Sequence, residues 1–358
     1  MKREFIHIVI SLLLGGVFAG CSGSDAGADE EPGKRPMEVG FTILTEGRTA
    51  GSRSSASEGT LDGTAAENHI DIAGGDFRFL LFDKNGDYIE MFVPTSITPV
   101  DATEKEYLVA GSFKSTPTDF RLVVLANWGA GNYPAEADLK GSKVGDLSTK
   151  WSYAYAPAEV LVGQGIPMYG VRSYTGVTFR PNIQTWLGDI DLLRAMAKVE
   201  LSSSIKGAVL SDVTLNRANA RGMYVPKGME SVTASVATDA HLNVPSGTAA
   251  TVQKVAFREV KTTAGEGGES VSSWVLYIPE YNNSTANPAM INFNLDGNPY
   301  TLEFKYYAAT AEVAEGTRFN ILRNHCYRYD IASAGAELTF NYTVCPWGER
   351  TAGDITFE

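Results

Sequence analysis

The chain has 358 residues, of which 20% are charged and 44% hydrophobic, and a formal net charge of -12. That length suits two domains, each able to bury its own core. The acidic balance, without any basic run, argues against a nucleic-acid partner and fits an extracellular protein kept soluble by its charge.

The chain opens with Lys2 and Arg3, an apolar run from Ile8 to Phe18, and the sequence Phe18-Ala19-Gly20-Cys21. The run is too short for a mature transmembrane helix and ends at small residues, as a cleaved secretory signal does. Small-small-Cys is the bacterial lipoprotein pattern, in which Cys21 is lipidated and becomes the mature N-terminus. The expected location is therefore outside the cytoplasm, at the outer membrane through the lipid. Residues 21–36 are mostly Ser, Gly, Ala, Asp, Glu and Pro without apolar period, and read as a disordered tether. The acidic cluster Asp29-Glu30-Glu31 resembles surface-export signals of Bacteroidetes lipoproteins.

The first strand follows. Val39, Phe41 and Ile43 alternate with Glu38, Gly40 and Thr42, the period of a half-buried strand. Small, polar residues from Arg48 to Asn68 then read as a flexible loop containing Arg48 and Arg53. Strand follows strand after it. FRFLLF and DYIEMFV flank Lys84-Asn85-Gly86, a strong hairpin signal, and EYLVAGSF and FRLVVLANW continue the set. The stretch from Pro134 to Gly165 is less regular, with a short helix starting between Asp146 and Trp151. In the second half FREV, SWVLYIPEY, MINFNLDGNPYTLEFKYY, CYRYDIA and AELTFNYTV are short runs at even intervals, with Asp296-Gly297-Asn298 as another hairpin turn.

Many short strands without long helical periods predict an all-β protein of two tandem sandwiches. The expected organisation is a signal at 1–20, a tether plus first strand at 21–53, sandwiches at 54–185 and 186–337, and a C-terminal segment at 338–358.

Catalytic signatures are missing. Of the four histidines His7 lies in the signal, His69, His241 and His325 are scattered without zinc-site spacing, and no nucleophile elbow, P-loop or dinucleotide fingerprint occurs. Asp83, Asn85 and Asp87 alternate as in a calcium loop, but Pro94 stands where a bidentate Glu is needed, and a hairpin turn explains them better. We expect no catalytic residue, no metal and no cofactor. Only Cys326 and Cys345 remain besides Cys21, too few for a disulfide scaffold.

Several segments, taken in order, are similar to Bacteroidetes fimbrillins, the fimbrial subunit proteins of Porphyromonas and Bacteroides. They are the lipoprotein signal, GIPMYG (165–170), LRAMAKVEL (193–201), VLYIPEY (275–281), LRNHCYRYDI (322–331) and the terminal VCPWGERTAGDITFE. The resemblance implies two transthyretin-like sandwiches and a precursor carried to the outer-membrane surface as a lipoprotein. It also implies removal of the N-terminal segment by an Arg-specific, trypsin-like protease. A strand from a neighbouring subunit would then fill the vacated groove, building a fimbrium that supports adhesion to host or bacterial surface receptors.

The residues supply the parts such an assembly needs. The removable strand is Val39, Phe41 and Ile43, and cutting after Arg48 or Arg53 would detach it. For the donor, Leu338, Phe340, Tyr342 and Val344 alternate, followed by Trp347 and then by Ile355 and Phe357. AELTFNYTV serves equally well as the closing strand of the second sandwich, whereas Trp347 to Glu358 reads as part of the donor. Pro346 marks a break between them. Partners are then other fimbrial subunits: further copies of this chain, and tip and anchor proteins. The alternatives are a tip or anchor subunit, or a monomeric surface lipoprotein that binds glycan or protein.

Overall fold

Alternation of apolar side chains builds strands that must cover one another, and two stacked pairs of sheets result. The computed structural model describes residues 37–45, 67–157 apart from 101, 103 and 130, 160, 165–230 apart from 181, 237–246, 252–263, 270–307, 313–334 and 337–347. Cys21, Arg48, Arg53, Ile355 and Phe357 lie outside them.

The first half contributes β1 (Met37–Leu44), β2 (Phe77–Asp83), β3 (Tyr88–Phe92), β4 (Pro94–Pro99), β5 (Glu106–Phe113), β6 (Phe120–Ala126), β7 (Ser152–Ala154), β8 (Met168–Tyr174), β9 (Thr185–Asp191) and β10 (Leu193–Arg194). A four-stranded sheet in the order β4-β5-β1-β9 faces a five-stranded sheet in the order β10-β8-β6-β2-β3. Between them lies a core of Val39, Phe41, Ile43, Phe79, Leu81, Val109, Phe113, Leu122 and Val124. The β2–β3 turn is the one expected: Gly86 adopts φ 84°. The Asp83 carboxylate accepts the Asn85 and Asp87 amides, each at 2.8 Å. Asp83 and Asn85 thus build a turn.

The second half contributes β11 (Met196–Ser203), β12 (Leu210–Asn219), β13 (Arg221–Met223), β14 (Val252–Ala256), β15 (Arg258–Thr263), β16 (Ser270–Pro279), β17 (Met290–Leu295), β18 (Asn298–Glu303), β19 (His325–Ala334) and β20 (Glu337–Pro346). Sheets in the orders β15-β16-β11-β19-β20 and β14-β12-β17-β18 enclose Val199, Leu201, Val213, Leu215, Ile291, Phe293, Tyr327 and Ile331. Asp296 and Gly297, both at positive φ, make the tight β17–β18 turn. The predicted short helix is a 3-10 turn at Val144–Asp146 running into α2 (Leu147–Lys150), with α1 (Glu136–Leu139) just before it.

Two features of the layout differ from the sequence expectation. The boundary set at 185/186 falls at the head of β9, yet β9 is the parallel ladder partner of β1, and β10 pairs with β8. We therefore place the boundary after Arg194. The five-stranded sheet of the first half is also covered on both faces. Leu80, Phe82, Val123, Leu125, Tyr169 and Val171 point away from the first core and join the cluster that fills the second half. Burial on both faces is why FLLF (79–82) and LVVL (122–125) are continuous apolar runs.

Candidate functional site

β1 is a central strand. It pairs antiparallel with β5 along its whole length, from Met37↔Phe113 to Leu44↔Glu106. On its other side it pairs in parallel with β9, which has no other ladder partner in that sheet. Val39, Phe41 and Ile43 are the core-facing residues and are at most 1% exposed. Phe41 meets Phe79 edge-on at 5.5 Å and Phe92 at 6.0 Å. The opposite face is covered as well, with Gly40, Thr42 and Leu44 buried. At the strand end Thr45 donates its amide to the Lys105 carbonyl at 2.9 Å and its hydroxyl to the Glu104 carbonyl at 3.1 Å. Leu192 donates its amide to Leu44 at 2.7 Å.

Each large apolar side chain of β1 contributes roughly 1.5–3 kcal/mol by leaving water. Taking the strand away would forfeit several such terms, strand β5 of one ladder partner and leave β9 with none in its sheet. A typical domain holds only about 5–15 kcal/mol in reserve. A vacated groove therefore requires another strand of similar alternation, and an extended segment supplies both the main-chain bonds and the side chains.

The chain re-enters the described region at Glu67 and Asn68, in a buried polar cluster between the two sandwiches. Glu67 receives Lys198 Nζ at 2.8 Å, the Tyr277 hydroxyl, and the Trp347 indole N–H at 3.1 Å. Lys198 also meets Glu200 at 2.7 Å, and Glu200 accepts from Arg328 Nε at 2.8 Å. Arg194, 1% exposed, donates to the Glu67 carbonyl at 3.0 Å and to the side-chain oxygens of Asn68 and Asn324. Its guanidinium lies 4.6 Å from the Trp347 ring, which stacks on Tyr277 at 5.7 Å. Nearby Arg323, fully buried, joins Glu280 at 2.7 Å and the carbonyls of Met223 and Tyr224. Burial opposes ionisation of Glu67, but Lys198, Tyr277 and Arg194 together hold its carboxyl below the usual range.

This junction is where the motifs of the sequence meet. LRAMAK provides Arg194 and Lys198, YIPEY provides Tyr277 and Glu280, RNHCY provides Arg323 and Asn324, and CPW provides Trp347. In the sequence these segments carried the fimbrillin resemblance, and their ion pairs were left unread. The available signal was a charged residue inside an otherwise apolar strand, as Lys198 is in MAKVEL.

At the other end, β20 closes the second sandwich along the full length of β19, from His325↔Pro346 to Ala334↔Glu337. It is the edge of its sheet, with Leu338, Phe340 and Tyr342 half-buried and Val344 exposed. Trp347, in contrast, is seated in its own chain, 7% exposed. Cys326 is buried, and Cys345 is its register partner on β20. Mass mapping of the mature protein without reductant is expected to find both as thiols. A stoichiometric Cys326–Cys345 bridge would overturn that expectation and tie β20 to its neighbour.

The histidines serve local contacts. His69 meets Glu104 at 2.7 Å, His241 meets Thr238 at 3.0 Å, and His325 meets the Arg323 carbonyl at 2.9 Å. Among the described residues no three His, Cys, Asp or Glu side chains are grouped to hold a metal. A polar cleft of about 510 Å³ is lined by Asn283, Ser284, Glu303, Lys305, Gly316 and Arg318. Its carboxylate is shared between Lys305 at 3.2 Å and Arg318 at 3.1 Å.

No family model and no curated protein matches the chain. Solved structures do. The tip fimbrial protein Mfa3 from Porphyromonas gingivalis, with C-terminal truncation, aligns with a TM-score of 0.57 at 15% identity, covering 87% of this chain and 100% of its own. A fimbrial assembly protein from Parabacteroides distasonis aligns with a TM-score of 0.48 at 14% identity, covering 87% and 99%. At 15% identity the likeness to the Mfa3 structure is one of fold, and it is the fimbrillin-type, all-β fold that the ordered motifs anticipate.

Proposed function

We propose that the chain is a structural subunit of a cell-surface fimbrium that assembles by strand exchange and supports adhesion, without enzymatic activity. Cys21 carries the lipid that delivers the precursor to the outer membrane. Cleavage after Arg48 or Arg53 by an Arg-specific, trypsin-like protease frees β1, and a strand from another subunit takes its place. The observation that carries this reading is the position of β1. It is a central strand buried on both faces, and the sequence just after it, small and polar, holds both arginines. The donor in turn comes from the C-terminal side. Because Trp347 is built into the junction, we assign donation to the residues after it, Ile355 and Phe357 included, or to β20 itself through Leu338, Phe340, Tyr342 and Val344.

Low-dose trypsin on the purified precursor is expected to create a new N-terminus at Thr49 or Ser54 and then ladders on an unboiled gel. Removing 348–358 while keeping Trp347 should leave the fold intact and stop the ladders. A precursor that resists trypsin and stays monomeric would sink the proposal, and ladders from the shortened chain would rule out donation by 348–358 and leave β20 as the donor.

A tip subunit is the second reading, and one observation favours it. β20 and Trp347 are both engaged in the chain's own second sandwich, as a subunit that receives a strand without donating one requires. Cleaved protein that accepts a strand from another subunit but forms no ladders alone would decide for it.

A further inference from the structure

One position on β1 breaks its pattern. Gly40 stands in the middle of a central strand, where a glycine is costly because it packs nothing and orders a flexible backbone. Its register partner on β9 is Trp186. A Cβ built on Gly40 would lie 3.1 Å from both Cε3 and Cζ3 of that indole and 3.1 Å from the Gln184 amide nitrogen. The ring thus lies over the glycine on the side facing away from the core, and remains 46% exposed on its outer surface. An aromatic ring laid across a strand glycine is a known way to restore the packing that the glycine lacks.

The same place fixes register. Between Gly40 and Thr42 the pairing moves from Trp186 to Asp189, so β9 spends one residue more than β1. Such a bulge pins two strands to one alignment. Gln184 adds a contact from its side chain to the Val39 carbonyl at 3.4 Å.

Resting on the strand-exchange reading, we propose that Trp186 is the specificity-determining residue of the groove, admitting strands that carry glycine at the position of Gly40 and delaying those that carry a larger side chain there. The core-facing pockets of Val39, Phe41 and Ile43 ask only for alternating apolar residues, which many strands supply. The outer side asks for a gap. A branched or long side chain has to push the indole aside, and the indole stands at the last paired position before the bulge. The outward positions that separate apolar residues of the candidate donors, as Gly40 separates Val39 from Phe41, are Thr339, Asn341 and Thr343 on β20 and Thr356 between Ile355 and Phe357, none of them glycine. This holds whichever way the segment enters. A strand from a second copy therefore enters this groove more slowly than a glycine-bearing strand from a different subunit.

The test uses full-length precursor cut with trypsin and two fluorescent synthetic peptides. One has the sequence of residues 37–44, and the other carries Leu in place of the glycine. Displacement of the resident strand is followed by anisotropy. Native groove is expected to take the glycine peptide roughly tenfold faster or more tightly than the leucine peptide. The sign is diagnostic, because leucine is the better strand former in the absence of a lid. In Trp186→Ala the preference should vanish or reverse, and in Trp186→Phe it should persist in part. Equal entry of both peptides into the native groove would overturn the role of Trp186 while leaving strand exchange standing. Entry of neither peptide would overturn strand exchange, and the proposal with it.

Discussion

Phe41→Ala is expected to lower the stability of the uncut chain by about 3–5 kcal/mol, the usual cost of emptying a fully buried aromatic site. The ring is 0% exposed and is held edge-on by Phe79 at 5.5 Å and tilted against Phe92 at 6.0 Å. Those two rings also contact each other at 5.5 Å, so collapse around the cavity is limited. The opposed control is Val344→Ala on β20, an exposed position at a sheet edge that should cost little. Urea unfolding of both variants checks the pair. A loss below about 1 kcal/mol for Phe41→Ala would mean that β1 contributes little to the first core, and a strand that contributes little needs no replacement. In the cut chain the same variant should release its β1 fragment sooner, because the ring is part of what holds the fragment once the covalent link is gone.

The inner face of β1 was legible. Val39, Phe41 and Ile43 alternate, and all three point into the core. Its outer face was not, because Gly40 looks solvent-facing until Trp186, more than a hundred positions away, lies over it. β9 was missed as part of the first sandwich for a related reason. Its own sequence, TWLGDID, carries two aspartates and a glycine and does not reveal its partner, and only the ladder to β1 assigns it to that sheet. β20 shows the complementary limit. Its alternation announces a strand, but local pattern sets period and not partner, so the same residues suited a closing strand and a departing one. The junction was the least legible part. Arg194, Lys198, Arg323, Glu67 and Glu280 belong to residue types that are usually exposed, and their burial depends on partners brought together from remote parts of the chain.

That junction sets the other large effect. Lys198→Met should cost about 3–5 kcal/mol near neutral pH, because it leaves a buried carboxylate without its cation. Lys198 and Glu67 are each 4% exposed at the side chain and 2.8 Å apart, and Lys198 also neutralises Glu200 at 2.7 Å. Glu200 keeps Arg328, whereas Glu67 retains only the Tyr277 and Trp347 hydrogen bonds and the more distant charge of Arg194. The pH dependence distinguishes an electrostatic cost from a packing cost. In the native chain the Glu67 carboxyl is held below its ordinary range against the opposing effect of burial, chiefly by Lys198. A group of this kind contributes stability that is fully present above its unfolded pKa and is lost as pH falls through its lower folded pKa. Without Lys198, burial dominates and the folded pKa of Glu67 rises above the unfolded one, so the penalty is full at neutral pH and fades as acid protonates the group. Native protein should therefore weaken as pH is lowered through the carboxylate range, and the deficit of Lys198→Met should shrink over the same interval. Glu67→Gln, which keeps the shape and can still accept from Trp347, should flatten the native acid dependence. Denaturant midpoints for the three proteins, taken from neutral pH downward, measure this directly. A deficit that stays constant with pH would assign the loss to packing around the lysine stem and remove the ion pair from the account. The expected narrowing would make Glu67 the charged clasp joining the chain just after the arginine loop to Trp347 at the end of β20.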